Sequence, residues 1–334
     1  MAVLFSETFA AGSTVADYLG KKWTTFSVLG IVAFAEAASG LGANFDASAR
    51  VMKARTFGSK GEIFISWLQK FVNVTAPGTI LDLYDSADAL QISLKKNTDG
   101  TLELVDGAGG TIATSSLTVG ITTVYRYTLQ VSIGASNTYR LAVDGADYLN
   151  GTGDTQYTGN ANVAYFRFSS SDTSLDFVVS DIALWDTAGS VLNGWQTGVK
   201  PVVLRPNSDG NSSDWTPLSS TNVSNVDETT RDEDSTYNST STATDLDLFG
   251  FETLSGDYDV FAVVSNFHLR KDDGAAREAR DVCRQASTNY NGTTKTVAET
   301  YENFDEIREV DPNTSAAWSV AGVNSSERGP QMVS

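Results

Sequence analysis

Short segments rich in valine, isoleucine, tyrosine and phenylalanine recur between Thr101 and Asp186, and they constrain the fold more than any other feature. Apolar and polar residues alternate within each segment. Clusters of glycine, asparagine and aspartate separate the segments at intervals of about eight to twelve residues. This pattern is typical of antiparallel strands packed as a sandwich, with one face of each strand in the core. The sequence therefore predicts an all-β fold.

The alternation is clearest in the segment Thr123–Ser132. Tyr125, Tyr127, Leu129 and Val131 share one face, which predicts that this face lies in the core. The polar residues between them are expected to meet solvent or a partner. The strands predicted in the same way along the first half are Ser6–Phe9, Phe26–Phe34, Ala49–Lys53, Gly61–Lys70, Ile80–Ser86, Leu90–Lys95, Thr101–Val105, Thr123–Ser132, Thr138–Val143, Ala164–Ser169 and Asp176–Trp185.

The pattern changes after Trp185. Residues 187–211 carry glycines and prolines around a short apolar run, and residues 212–245 are polar, with too few apolar residues for a core. Residues 189–245 are therefore predicted to form an extended polar linker. Strand patterning returns at Asp247–Phe251 and Tyr258–Leu269, and both faces of the latter are partly apolar, as in a central strand. The predicted organisation is a first sandwich over residues 1–188, the linker, and a second, smaller sandwich over residues 246–334.

Charge and hydrophobicity exclude two classes of partner. The net charge is −18 and lysine and arginine do not cluster, so the phosphates of a nucleic acid would be repelled. Hydrophobic residues make up 41% of the chain, enough for folded cores, but their runs are strand-sized and too short to span a bilayer. The sequence predicts neither nucleic-acid binding nor membrane insertion.

Four segments of the first domain carry a resemblance to a known fold: Gly100–Leu104, Val124–Leu129, Tyr139–Gly145 and Val178–Asp186. Their strand pattern resembles the concanavalin-A-like jelly roll of lectin and laminin-G domains. The resemblance implies a jelly-roll sandwich, and lectins of this type bind carbohydrate. Because the match is one of strand pattern, it bears on the fold more than on a ligand.

The second domain is similar to a module of virion structural proteins of tailed bacteriophages. The similarity is carried by Asp214–Pro217, Asp232–Tyr237, Asp247–Phe249 and Asp311–Ser319, and it extends to Gly329. Within the last of these segments an aspartate and a serine replace the family's asparagine and glycine, while the tryptophan is in place. The resemblance implies a structural position on a phage tail, neck or head, and no activity.

Two groups of acidic residues are candidate calcium ligands, because Ca²⁺ prefers carboxylate and carbonyl oxygens. Lectin-type jelly rolls hold Ca²⁺ between loops at one rim, and Asp144, Asp147 and Asp154 offer oxygens for such a site. The alternative is that Asp144-Gly145 forms a hairpin turn, and this reading is favoured. The acidic stretch from Asp227 to Asp234 lacks the spacing of an EF-hand and fits a solvated loop better. We therefore expect no cofactor, with calcium as the alternative.

Catalytic constellations are not recognisable in the sequence. The chain has one histidine, His268, and one cysteine, Cys283, which fit a structural or interfacial side chain and a buried filler better than a nucleophilic site. Glycoside hydrolysis requires two facing carboxyl groups. Glu62 and Glu103, the acids best placed in predicted strands, each stand alone. The sequence predicts no catalytic residues and no enzymatic activity.

Five tryptophans are predicted to lie either in a core or at an interface. Trp67 and Trp185 lie within strand patterns and are predicted to be core residues. Trp195 and Trp215 lie in the predicted linker, where a large ring must bury against something. We expect these two to dock the linker or a neighbouring subunit, and Trp318 is the third interface candidate.

The leading functional hypothesis is a structural component of a tailed-phage virion, a fibre or decoration protein attached to tail, neck or head. It predicts location at the virion surface, other virion proteins as partners, and a homo-oligomer. The alternative is a carbohydrate-binding adhesin or receptor-binding module that contacts host-surface glycan. A polysaccharide-cleaving enzyme is the third and least favoured hypothesis.

Overall fold

A computed structural model describes residues 3–9, 22–28, 30–33, 35–39, 41–45, 50–74, 76–170, 175–229 and 231–334. The chain divides into two compact units, Met1–Val203 and Leu204–Ser334. Antiparallel strands dominate both units, which confirms the predicted all-β class. No helix in the described part of the chain is both long and apolar enough to span a membrane.

The first unit is a sandwich of two antiparallel sheets. Its strands are β1 Val3–Glu7, β2 Trp23–Ser27, β3 Gly30–Ala33, β4 Leu41–Phe45, β5 Arg50–Ala54, β6 Glu62–Val74, β7 Gly78–Tyr84, β8 Leu90–Lys96, β9 Thr101–Asp106, β10 Thr111–Thr118, β11 Val124–Ser132, β12 Asn137–Val143, β13 Ala146–Gly153, β14 Tyr165–Ser170 and β15 Leu175–Trp185. The eight-stranded sheet has the order β13-β12-β11-β6-β15-β4-β3, and β1 also pairs with β15. The seven-stranded sheet has the order β10-β9-β8-β7-β14-β5-β2.

The core of this sandwich lies between the sheets and is built by the predicted alternation. Tyr127 on β11 stacks on Trp67 of the neighbouring β6, with ring centroids 5.0 Å apart. Phe168 on β14 meets Trp67 edge-on at 5.8 Å and comes from the opposite sheet. All three rings are fully buried, and dispersion contacts of this density stabilise the pair of sheets. These contacts confirm the sandwich predicted for the first domain.

The polar face of β11, which the sequence predicts to meet solvent or a partner, meets other residues of its own chain. Arg126 forms an ion pair with Asp181 at 3.2 Å, and their side chains are only 13% and 2% exposed. Nearby, Ala37 packs with Leu68 and Val178 on the same outer side of the sheet. The face is polar because it holds a buried ion pair beneath a loop of its own chain.

The N-terminal strands also differ from the prediction. The single strand predicted over Phe26–Phe34 is two strands, β2 and β3, which belong to different sheets. Leu29 and Phe34 lie outside the described residues, as does Ala49 at the start of another predicted strand.

The second unit is also all-β. Its elements are β16 Pro206–Ser213, β17 Thr216–Pro217, β18 Asn238–Ser239, β19 Asp247–Phe251, β20 Val263–Leu269, β21 Glu278–Gln285, β22 Thr288–Asn291, β23 Lys295–Thr296, β24 Glu302–Arg308, α1 Val320–Asn324 and β25 Glu327–Met332, with short 3-10 helices at Val223–Asn225 and Glu233–Ser235. A six-stranded antiparallel sheet has the order β16-β19-β25-β21-β22, and β23 also pairs with β21. β17 pairs with β18, and β20 with β24.

Two features of this unit differ from the sequence-based expectations. Residues 204–245 belong to the second unit, and residues 189–203 belong to the first, where the sequence predicts a separate linker. Hydrogen bonds attach residues of the predicted linker to the second unit. The Asp247 carboxylate accepts one from the backbone N of Trp215 at 2.9 Å and one from Nδ2 of Asn222 at 2.7 Å. The strand predicted over Tyr258–Leu269 is β20, which forms a two-stranded sheet and is not central.

Candidate ligand-binding face of the first unit

The outer face of the eight-stranded sheet is covered by the first unit's own chain. Phe64 and Trp185 point away from the core on adjacent strands, stack at 5.6 Å, and are nevertheless 2% and 0% exposed. The Trp185 indole donates a hydrogen bond to the carbonyl of Gly194 at 2.9 Å. Residues 187–203, which we call the covering segment, therefore lie on this face.

Trp195 extends this cover to the neighbouring strands. The guanidinium carbon of Arg140 on β12 lies 4.5 Å from the centroid of the Trp195 ring. Arg140 also forms an ion pair with Asp147 on β13 at 2.5 Å. The covering segment thus contacts both β15 and β12, and Trp195 is half-buried against its own unit.

The outer face of the seven-stranded sheet carries a different set of side chains. Four neighbouring strands, β5, β14, β7 and β8, carry these side chains. They alternate with core residues along each strand, so they point outward, and strand pairing places them opposite one another. The pairing places Arg167 opposite both Lys53 and Asp82, and Asp82 opposite Ser93. We call this set the polar row; its members are Lys53, Asp82, Tyr84, Ser93, Tyr165 and Arg167.

Asp82 organises the centre of the polar row. Its Oδ2 accepts hydrogen bonds from Nη2 of Arg167 at 2.5 Å and from Nε at 3.1 Å, and its Oδ1 accepts one from the Ser93 hydroxyl at 2.5 Å. The Asp82 side chain is 3% exposed, whereas that of Arg167 is 33% exposed. The guanidinium is therefore held in one orientation while part of its edge stays open to solvent.

Two tyrosines and two cations form a stacked column beside Asp82. The rings of Tyr84 and Tyr165 are nearly parallel with centroids 4.9 Å apart. Nζ of Lys53 lies 4.1 Å from the Tyr165 centroid, and the guanidinium carbon of Arg167 lies 4.9 Å from the Tyr84 centroid. These cation–π contacts fix the ring positions. Burial, and next the Asp82 carboxylate, raise the pKa of Tyr84 to about 12, so its hydroxyl keeps its proton at neutral pH.

Asp88, in the loop between β7 and β8, contacts two members of this column. Its carboxylate pairs with Lys53 at 2.9 Å and accepts a hydrogen bond from the Tyr165 hydroxyl. The hydrogen bond from Lys53, and then that from Tyr165, lower the pKa of Asp88. Burial and the hydrogen bond to Asp88 raise the pKa of Tyr165. Asp88 is 71% exposed and has a backbone φ of +66°, a conformation that aspartate and asparagine tolerate.

An exposed tyrosine lies at one end of this face. Tyr157 is 54% exposed, and its backbone N donates a hydrogen bond to Oε1 of the outward-pointing Gln91 at 2.8 Å. Its ring lies against Gly107, where an added Cβ would overlap the ring. The contact with Gly107 and the hydrogen bond to Gln91 hold Tyr157 in place while about half of its surface is open to solvent.

Asp85 anchors the loop that carries Tyr157. Its buried carboxylate accepts five hydrogen bonds. Two come from the β7–β8 loop, from the backbone N of Ala87 at 2.8 Å and of Ala89 at 2.9 Å. The other three come from side chains: Gln91 Nε2 at 3.2 Å, the Thr158 hydroxyl at 2.8 Å and Asn160 Nδ2 at 3.0 Å. Burial raises the pKa of Asp85, but these hydrogen bonds outweigh it, so the pKa lies below its ordinary value.

The structure does not bring the three candidate calcium ligands together. Asp144 and Gly145, with φ of +50° and +84°, form the turn between β12 and β13, as the alternative reading predicts. Asp147 pairs with Arg140, and Asp154 lies beyond the far end of β13. Among the described residues, no group of three or more His, Cys, Asp or Glu side chains is placed to hold a metal ion.

The two interface candidates of the second unit lie in different surroundings. Trp215 is half-buried, and its indole donates a hydrogen bond to the carbonyl of Asp245 at 3.2 Å. Trp318 is 3% exposed, packs with Cys283 in a core cluster, and donates to the carbonyl of Arg308 at 2.9 Å. Because Trp318 fills its own core, its ring is not available to a partner.

His268 and Cys283 lie in the second unit. His268 stacks on Tyr301 with centroids 4.8 Å apart, and its Nδ1 lies 2.7 Å from Nη1 of Arg231. Cys283 is fully buried beside Arg328, and burial raises the pKa of its thiol. Neither environment activates a nucleophile.

Sequence reasoning did not select the polar row, Asp88 or Tyr157 as site residues. The outward positions of β7 and β14 are visible in the sequence as polar residues between leucines and between phenylalanines. The pairing of β7 with β14 is not visible there, because the two strands are far apart along the chain. Only this pairing makes Asp82, Arg167, Tyr84 and Tyr165 neighbours.

Comparisons with known proteins assign this chain to no family. No protein-family model matches the chain, and no curated protein matches it. Solved structures that are similar to it include a sialidase, with 12% identity, 56% of this chain and 19% of the sialidase covered, and a TM-score of 0.41. An endo-β-1,4-glucuronan lyase from the fungus Trichoderma reesei has 11% identity, coverage of 55% and 95%, and a TM-score of 0.39. The carbohydrate binding module CBM66 from Bacillus subtilis has 10% identity, coverage of 50% and 96%, and a TM-score of 0.36. With TM-scores below 0.5, these likenesses carry no argument about what this chain binds.

Proposed function

We propose that the first unit binds carbohydrate on the outer face of its seven-stranded sheet. The observation that carries the proposal is the contrast between the two outer faces. The centre of one face, with Phe64 and Trp185 at 2% and 0% exposure, is buried beneath the covering segment, which leaves no ring there for a ligand. The other face holds the polar row in fixed orientation, with Arg167 and Lys53 33% and 30% exposed. A preorganised surface of this kind binds a ligand with a small entropic cost.

The chemistry of this face matches that of a sugar. Sugar hydroxyls accept hydrogen bonds from guanidinium and ammonium groups and donate them to carboxylates. Arg167 and Lys53 offer the donors, and the neighbouring Asp88, 71% exposed, offers the carboxylate. The C–H groups on one side of a pyranose ring pack on a flat aromatic surface, and Tyr157 offers one at 54% exposure. Hydrogen bonds would set the orientation of the sugar, and Tyr157 would add apolar contact.

The proposal is for binding without cleavage. Asp82, the acid at the centre of the face, has both oxygens engaged by Arg167 and Ser93, which does not suit a general acid or nucleophile. Tyr84, with its pKa raised to about 12, is not a base at neutral pH. Its protonated hydroxyl instead serves as a hydrogen-bond donor to a ligand.

A glycan array with purified protein tests this function, in the presence and absence of Ca²⁺. We expect at least one class of glycan to bind, with affinity lowered about tenfold in Tyr157→Ala, as loss of one stacking contact predicts. Tyr237→Ala is the matched control, because Tyr237 is an exposed tyrosine of the second unit. No binding under either condition, or equal loss in both variants, would refute the proposal.

Assembly into a tailed-phage virion stays a prediction from the sequence resemblance of Asp214–Gly329. It is compatible with carbohydrate binding, since a fibre or decoration protein at a virion surface meets host glycans. Mass spectrometry of purified virions and electron microscopy of the particle test it. Absence of the protein from particles, together with a monomer in sedimentation, would remove it.

A further inference from the structure

We propose that the ligand of this face is an uncharged glycan, and that glycans bearing uronate, sialate or sulfate groups are rejected. The inference rests on the proposed carbohydrate binding and names the class of ligand. It follows from how the charges of the face are paired.

The cations of the face are matched by acids. Lys53 pairs with Asp88 at 2.9 Å, and Arg167 pairs with Asp82 at 2.5 Å. On the adjoining strands, the outward Lys95 lies opposite the outward Glu103. A negatively charged sugar would therefore meet cations whose charge is already compensated, with carboxylates beside them.

The central ion pair is not free to open for an anionic ligand. The Asp82 side chain is 3% exposed and depends on Arg167 and on the hydroxyls of Ser93 and Ser169. Drawing the guanidinium toward a ligand carboxylate would leave Asp82 buried without its cation, which is costly. A sugar hydroxyl can accept from the exposed edge of the guanidinium while the pair stays closed.

The charge of the whole chain acts in the same direction. With a net charge of −18, the protein repels polyanions at distances up to the Debye length, about 10 Å at 0.1 M salt. An uncharged polysaccharide does not experience this repulsion. Local pairing and the long-range field therefore select the same class of ligand.

Affinity electrophoresis of the intact protein through gels with immobilised polysaccharide tests the inference. Mannan, laminarin and galactan represent uncharged glycans; alginate, polygalacturonate and polysialic acid represent acidic ones. We expect retardation by at least one uncharged glycan, with an apparent Kd that changes less than about twofold between low and high salt. We expect no retardation by the acidic glycans.

The variant Asp88→Asn tests the pairing argument directly. The introduced amide would keep an oxygen for Tyr165, and asparagine tolerates the positive φ, but the substitution removes the charge that compensates Lys53. We expect this variant to gain retardation by an acidic glycan at low salt and to lose it at high salt. The double variant Asp88→Asn/Lys53→Gln should lose the gain, and thermal unfolding reports whether each variant is folded.

The possible results separate the ligand class from the function itself. Retardation of the wild type by an acidic glycan, weakened by Lys53→Gln, would overturn the inference and leave carbohydrate binding standing. Failure of Asp88→Asn to gain acidic binding would overturn the charge argument. Binding to no glycan of either class would refute the proposed function, and the inference with it.

Discussion

Asp85 shows how a single buried side chain can determine where an exposed one lies. Its five hydrogen bonds join the β7–β8 loop to residues 158–160, and Gln91, which it also holds, fixes the backbone of Tyr157. The carboxylate itself is buried and does not reach the ligand face. It is a positioning residue for Tyr157.

The substitution Asp85→Asn is predicted to destabilise the first unit by about 1–3 kcal/mol, because an amide NH₂ would face donors that now meet a carboxylate oxygen. The pKa of Asp85 is lower in the folded protein than its ordinary value of 3.8. Its contribution to stability is therefore fully present above about pH 4 and is lost as the pH falls through the folded-state pKa. Urea unfolding at pH 7 and pH 3 should show a smaller difference between wild type and variant at pH 3. An equal difference at both pH values would contradict this origin of the stability.

Single residues also show where sequence reasoning stops. The positive φ of Asp144 and Gly145 follows from a local Asp-Gly turn signal, and the sequence predicts that turn. The arrangement of Arg167 on Asp82 follows from strand pairing across the sheet, which alternation within one strand does not encode. Trp318 illustrates the same limit: it is an interface candidate in the sequence, whereas its tertiary neighbours form a core.

At the scale of elements, the covering segment explains why the end of β15 is buried on both faces. One face of β15 packs in the sandwich core, and on the other face Trp185 is buried beneath residues 187–203. A segment with few apolar residues can cover this face because only a few of its own side chains need to be buried. Leu192 and Val199 are 1% and 8% exposed, while Val202 is 45% exposed.

The substitution Leu192→Ala is predicted to lower the free energy of unfolding by about 2–5 kcal/mol, because it removes the buried side chain of the covering segment and leaves a cavity. Val202→Ala in the same segment is the control, with an expected effect within about 0.5 kcal/mol at an exposed site. Chemical denaturation followed by tryptophan fluorescence measures both. Equal, small effects would mean that the covering segment does not contribute to the stability of the first unit.

At the scale of the whole molecule, the two units have separate cores. The first is centred on the rings of Trp67, Tyr127 and Phe168, and the second has clusters around Trp318 and around Phe304. Units with their own buried cores are expected to unfold as separate cooperative steps. The proposed ligand face lies entirely on the first unit. A bound ligand should therefore stabilise that unit, and not the other, against unfolding.

Calorimetry of the intact chain tests this separation, and we expect two transitions. Leu192→Ala should lower one of them, and Trp318→Ala should lower the other through loss of a core ring worth about 3–5 kcal/mol. A bound glycan at about 100 times its Kd should stabilise the unit that binds it by about 2.7 kcal/mol, because ligand binds the folded state alone. The transition raised by glycan should therefore be the one lowered by Leu192→Ala. If glycan raised the transition that Trp318→Ala lowers, the binding face would lie in the second unit and the assignment to the seven-stranded sheet would fall.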